Sequence, residues 1–153
     1  MSLYTATISW ERNNQVFTDN QYSRAHRWLF DGGLEVPASA SPQIVPLPHS
    51  VAENVDPEEA FIASLSSCHM LFFLAIAARQ KLTVDRYFDA AEGLLEKNKQ
   101  GRLAMTLVTL KPRIDFKGVH PGMEVVHQIH QRAHQECFIA NSVVTQIVIE
   151  AQA

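Results

Sequence analysis

The stretch that most limits what this chain can fold into is "DPEEAFIASLSSCHMLFFLAIAARQ", from Asp56 to Gln80. It opens with helix-start signals in the right order. Asp56 suits the N-cap, Pro57 suits the first helical position, and Glu59 three residues after Asp56 completes a capping-box pattern. The apolar run from Ala60 to Ala78 is about as long as a membrane span. Ser64, Ser66, Ser67, Cys68 and His69 interrupt it, and its ends lack aromatic belts. The expectation is therefore a long buried helix, ending near Arg79 to Lys81, around which the rest of the chain must pack.

A chain of 153 residues is the size of one ordinary domain, here expected over 1–153, and can bury a core without staples. Apolar residues at 46% and charged residues at 19% place it among ordered globular chains. The formal charge is −3 and the basic residues are scattered, which argues against a nucleic-acid or anionic-membrane partner. The start, "MSLYTATISWERN", has no basic segment leading into an apolar one, so it is not a secretory signal. A cytoplasmic location follows as the expectation, and there both cysteines rest reduced.

Elsewhere the patterns are strand-like. "LYTATISW" (3–10) alternates, "ERNNQ" reads as a turn, and Val16–Phe17 opens a possible return strand. "SRAHRWLFDGG" (23–33) reads as a strand ending at a Gly-Gly turn. Residues 34–55 hold Pro37, Pro42, Pro46 and Pro48 and read as a long irregular loop. Two strands, "VDRYFDAAEGLLEKN" and "RLAMTLVTLKPRIDF", flank the turn "KNKQGR". "HPGMEVVHQIHQRAHQEC" has helical spacing, with Met123, Val126, Ile129 (or His130) and Ala133 on one stripe. "SVVTQIVIE" is a last strand. Few, segregated helices among many strands define an α+β fold with a mainly antiparallel sheet.

The two cysteines, Cys68 and Cys137, are 69 positions apart and form no CxxC motif. Three readings are open: a redox pair, metal ligands, or core packing. His127, His130, His134 and Cys137 follow one another at helical spacing and offer a His/Cys metal set, although the short-spaced pairs of zinc sites are missing. A thiol peroxidase needs an attacking thiolate, a cation to hold it ionised, and a second thiol to resolve the sulfenic acid. Arginine suits the second task because it is always cationic and a carboxylate can aim its fork.

Two segments decide among these readings. "DPEEAFIASLSSC" (56–68) followed by "AHQECFIAN" (133–141) resembles the OsmC/Ohr family, named for osmotically inducible protein C and organic hydroperoxide resistance. The family's first motif places a reactive cysteine ten residues after a glutamate at a helix start. That register points to Glu58 and Cys68, while Cys137 with Asn141 fits the second motif. The resemblance implies an OsmC-like α+β fold, with a long central helix carrying the first cysteine and a second helix ending at the other. It also implies an intertwined homodimer with sites at the subunit interface. The chain departs from the family pattern at Asp56, where asparagine is usual, and at Phe138, where proline often follows the second cysteine, so the subgroup stays open.

By the same resemblance, Cys68 is the peroxidatic nucleophile that reduces an organic hydroperoxide to an alcohol. Cys137 is the resolving thiol. The disulfide is recycled by a dithiol, lipoamide-like or on a lipoylated protein, with no bound cofactor. Glu58 orients a catalytic arginine. Arg27 in "AHRWLFDGG" is the first choice for it, with Arg12 and Arg24 as alternatives. Glu58 stands about 15 Å along the helix from Cys68, so either a long arginine bridges them or Glu58 serves a second chain. Glu59 has a sufficient role in the capping box. His69, Phe72 and Trp28, with Met70 and Phe73, are expected to form a wall suited to an alkyl hydroperoxide. A different class of role also fits: a redox-inert OsmC-like module binding a small apolar ligand at the dimer interface.

Overall fold

A computed structural model describes residues 1–153. Asp56 caps the long helix, its Oδ1 accepting the Glu59 N–H at 2.8 Å. Helix α1 then runs Pro57–Arg79. Burial pushes the Asp56 carboxyl up, but hydrogen bonds from Glu59 and Glu58 outweigh it, and its pKa is lowered overall. Beyond Arg79 the backbone turns at Lys81, which adopts a positive φ of 64°.

The chain divides into two compact units, residues 1–60 and 61–153. The first holds an antiparallel sheet of β1 (Thr7–Ser9), β2 (His26–Leu29) and β3 (Glu35–Ala38), in that order. Gly33, at φ 89°, makes the β2–β3 turn where a side chain would be strained. Val16–Phe17 is not a strand. Instead Phe17 packs its ring against Tyr22 and Trp10. The Pro-rich segment also differs from a wholly irregular loop, since its first residues form β3. The remainder is tied back by Ser39 N–H to Val55 O, Val55 N–H to Pro37 O, and Val51 N–H to Ser39 Oγ.

In the second unit the two strands expected around "KNKQGR" resolve into four: β4 (Val84–Asp89), β5 (Glu92–Lys97), β6 (Leu103–Leu110) and β7 (Pro112–Phe116). Asp89 makes both breaks. Its Oδ1 accepts the Lys111 N–H at 2.6 Å between β6 and β7, and its Oδ2 accepts the Ser66 hydroxyl at 2.5 Å. Helix α2 (Met123–Glu136) follows, then a 3-10 turn (Ala140–Ser142) and β8 (Gln146–Ile149). Strands β4 and β7 pair antiparallel, as do β5 and β6, while β8 joins β6 in parallel.

Two cores share α1. Phe73, Ile76 and Ala77 pack with Val126, Ile129 and Ala133 of α2 and Ile114 of β7. About two to three turns earlier, Leu65 packs with Val108 and Leu110 of β6, with Phe61, Ile62, Ile147 and Ile149 around them. A third face of α1, along Ala63, Ser67, Leu71 and Ala75, is exposed. This helix is long and apolar enough to cross a membrane, with a mean hydropathy of 1.9. Its all-round apolarity reflects two cores plus this stripe.

Candidate active site

Cys68 and His69 sit on α1 between the residues that enter the two cores. Cys137 occupies the equivalent place on the other side. It is the C-cap of α2, its N–H bonded to Ala133 O at 2.9 Å, between Ala133 of one core and Ile139 beside the other. Both cysteines are free thiols; Cys68 is half-buried and Cys137 is buried. Burial pushes the Cys137 thiol up to about 11, and the neighbouring Cys68 thiol adds to the rise. The Ala140 N–H points at Cys137 Sγ from 3.4 Å and works in the opposite sense. The fold thus brings two thiols from separate helices together, one accessible and one shielded.

Beside them is a pair the sequence does not announce. His69 Nε2 lies 2.9 Å from His130 Nδ1, and both rings are buried. Burial lowers His69 to about 4, helped by nearby His134, and lowers His130 to about 3, helped by His69 and His127. Both imidazoles are therefore neutral near pH 7. Of the four residues that could form a His/Cys metal set, His130 is committed to His69 and His127 is exposed. No group of three or more His, Cys, Asp or Glu side chains is placed to hold a metal ion.

The apolar residues expected at the site divide. Phe72 is partly buried and meets Phe138 edge-on, with ring centroids 5.0 Å apart. Phe73 is fully buried core rather than wall. Trp28 lies on β2 in the first unit, donating from Nε1 to His26 Nε2 at 3.1 Å.

Glu58 stands in the first turn of α1, and its Oε2 is buried with no hydrogen-bond partner. None of the three candidate arginines pairs with it. Arg27 pairs with Glu35 at 3.3 Å, Arg12 donates to Gln15 O, and Arg24 donates to Asn20 and Tyr22. A buried carboxyl oxygen left this way lacks the hydrogen-bond donor that such atoms ordinarily have.

A mixed fold with two neighbouring thiols on two helices defines a class, and comparison with known proteins names it. The family of OsmC-like proteins matches residues 50–152, and this chain belongs to it. It is similar, at 52% identity and a TM-score of 0.97, to the structure of an OsmC-like protein of unknown function from Vibrio cholerae, covering 99% of this chain and 100% of that one. An organic hydroperoxide resistance protein from Elizabethkingia anophelis shares the fold at 18% identity and a TM-score of 0.72, with coverage of 99% and 94%. One from Legionella pneumophila does so at 17% and 0.68, with coverage of 99% and 97%. No match is found among curated proteins. The OsmC/Ohr family thus includes organic hydroperoxide resistance proteins.

Proposed function

We propose that this protein is a thiol-dependent peroxidase that reduces organic hydroperoxides. The observation that carries the reading is the adjacency of Cys68 and Cys137, two free thiols from different helices, in a chain of this family. The Cys68 thiolate attacks the distal oxygen of the hydroperoxide and the O–O bond breaks. The alkoxide leaves and takes up a proton to become the alcohol, and Cys68 becomes a sulfenic acid. Cys137 sulfur then attacks the Cys68 sulfur, water departs, and a disulfide forms. A dithiol such as dihydrolipoamide, free or on a lipoylated protein, reduces that disulfide and is itself oxidised to the cyclic disulfide.

The unpartnered Glu58 oxygen supports a homodimer in which an arginine of one subunit meets Glu58 of the other. Arg27 remains the first choice: its pair with Glu35 is half-exposed on both sides, and such pairs exchange cheaply. The exposed stripe of Ala63, Ser67, Leu71 and Ala75, small apart from Leu71, supports close helix packing across the same interface. A monomer by light scattering at micromolar concentration would count against the dimer.

The test is consumption of cumene hydroperoxide with dihydrolipoamide as reductant. Cys68→Ser should abolish it, and unchanged turnover in that variant would sink the reading. Mass spectrometry of peroxide-treated protein should show a two-hydrogen loss linking Cys68 to Cys137. Intact thiols after that treatment would favour a redox-inert module that binds an apolar ligand at the dimer interface.

A further inference from the structure

Each of the two thiols is followed by a phenylalanine, and the two rings touch. Phe72 lies four residues after Cys68 on α1, and Phe138 directly follows Cys137 at the end of α2. Their rings meet at right angles with centroids 5.0 Å apart. On a helix, positions four apart share a face and side chains lean toward the N-terminus. The Phe72 ring therefore lies over the turn that carries Cys68. Cys137 is the neighbour of Cys68, so the chain that follows it brings the second ring to the same place. The aromatic corner borders the half-buried Cys68 thiol.

The two rings are held differently. Phe72 is partly buried against the core of Phe73, Ile76 and Ala133. Phe138 is 71% exposed, although its neighbours on both sides turn inward: Cys137 is buried, and Ile139 packs beside the Leu65 core. The backbone that presents Phe138 is pinned. The Asn141 N–H donates to Cys137 O at 3.0 Å and the Ser142 N–H to Ile139 O at 3.0 Å, while the Ser142 hydroxyl donates to Phe138 O at 2.7 Å. A large apolar ring held outward on a fixed turn is preorganised to meet a partner. Two rings at 90° form a corner. A third flat ring seated in it can stack offset on one face and meet the other ring edge to face, the two arrangements that aromatic pairs prefer. A saturated ring of similar size buries similar area but has no quadrupole to match.

We infer that Phe138, together with Phe72, is the specificity-determining element of this site: the pair seats the aryl group of an arylalkyl hydroperoxide and directs its peroxide group at Cys68. The inference rests on the peroxidase reading above and narrows its substrate class. Cys68 supplies the chemistry to any hydroperoxide that reaches it, and the aromatic corner ranks those hydroperoxides by the body they carry.

The test compares kcat/KM for cumene hydroperoxide with that for its ring-saturated counterpart, 2-cyclohexylpropan-2-yl hydroperoxide, with dihydrolipoamide as reductant. The aryl substrate should be favoured about three- to tenfold, the worth of one aromatic pair. Phe138→Leu, which keeps an apolar side chain without a ring, should bring the ratio close to one. A ratio near one in the unaltered protein, or a preference that survives Phe138→Leu, would overturn the assignment. A second measurement needs no turnover and no variant. With ¹³C-phenylalanine-labelled protein, the product alcohol 2-phenylpropan-2-ol should give nuclear Overhauser contacts from its ring to Phe72 and Phe138. Absence of those contacts at millimolar alcohol would overturn the aryl site. A protein that shows them yet consumes neither peroxide would lose the peroxidase reading and keep the aryl site.

Discussion

His69 and His130, 61 positions apart in the chain, stack their imidazoles within 11° of parallel and share one hydrogen bond of 2.9 Å in the core between α1 and α2. One ring donates and the other accepts, an arrangement that two neutral imidazoles satisfy and that two imidazoliums cannot. His130 Nε2 has no partner, and Phe73 covers that ring at 4.4 Å. Protonating either imidazole would place a charge against a ring and a second imidazole.

A pH dependence follows, with its sign. Both folded pKa values lie below the ordinary 6.5, at about 4 and about 3, so the unfolded chain binds more protons over that interval. Stability from the pair is complete above pH 6.5 and is lost progressively as pH falls toward 4. The loss should reach on the order of a few kcal/mol. Urea melts between pH 8 and 4.5 measure it. His130→Gln, which keeps a polar side chain but does not titrate, should reduce the slope by about one proton per molecule. Identical slopes for the two proteins would exclude the pair as the titrating element.

The two thiols should react in a fixed order. Cys137 is 1% exposed and raised to about 11, so few molecules carry its thiolate near pH 7. Cys68 is the more accessible of the two. Iodoacetamide on the folded protein should label Cys68 first and Cys137 only after unfolding, as peptide mapping would show. Conversion of the Cys68 sulfenic acid to disulfide should accelerate by about tenfold per pH unit from pH 6 to 9, wherever attack by the Cys137 thiolate limits it. A pH-independent rate, followed by stopped-flow fluorescence, would show that some group deprotonates Cys137 within the site.

How much of this was open to reading in the sequence depends on the range of the force involved. The start of α1 was legible because Asp56, Pro57 and Glu59 act within one turn. The buried stripe of α2 was legible because Val126, Ile129 and Ala133 repeat at helical spacing. The turn between β5 and β6 was legible too, but the breaks between β4 and β5 and between β6 and β7 were not, since Asp89 reaches Lys111 across 22 positions. The same is true of Val16–Phe17, where packing against Trp10 and Tyr22 overrides the strand pattern. At the site, the family motifs singled out Cys68 and Cys137, but His130 looked like one member of a polar His series. Its partnership with His69 is a tertiary fact, hinted at only by its place beside Ile129 on the apolar face.

Asp89 should matter more to stability than an acidic residue at a strand end normally does. It accepts from Ser66 Oγ on α1 and from the Lys111 backbone N–H at once. Removing the acceptor strands a backbone donor and a hydroxyl in partly buried surroundings. Asp89→Ala should cost about 2–4 kcal/mol in denaturant melts, counting about 1–2 kcal/mol for each orphaned donor. Asp89→Asn retains one acceptor oxygen and should cost roughly half. Ser66 is two residues before Cys68, so Asp89→Ala should also slow disulfide formation more than Asp89→Asn does. A neutral alanine variant would show that water satisfies both groups.

Gly93 of β5 packs directly against Ile62 of α1 and Met105 of β6. A Cβ there would stand 2.5 Å from Met105 Cε and 2.7 Å from Ile62 Cδ1, with Ile62 Cγ1 at 2.9 Å. Such contacts cannot persist, so side chains must move. Met105 can swing its terminal methyl away, but Ile62 is β-branched and packs beside Leu65, Val108 and Leu110. Gly93→Ala should therefore destabilise by about 1–3 kcal/mol, the usual cost of overpacking a core, despite alanine's lower unfolded-state entropy. Gly93→Val should cost more, because the branch adds atoms on the same side. Ile62→Val combined with Gly93→Ala makes room and should recover part of the loss, as a double-mutant cycle by urea denaturation would report. Strict additivity of the two substitutions would mean that Met105 alone absorbs the clash.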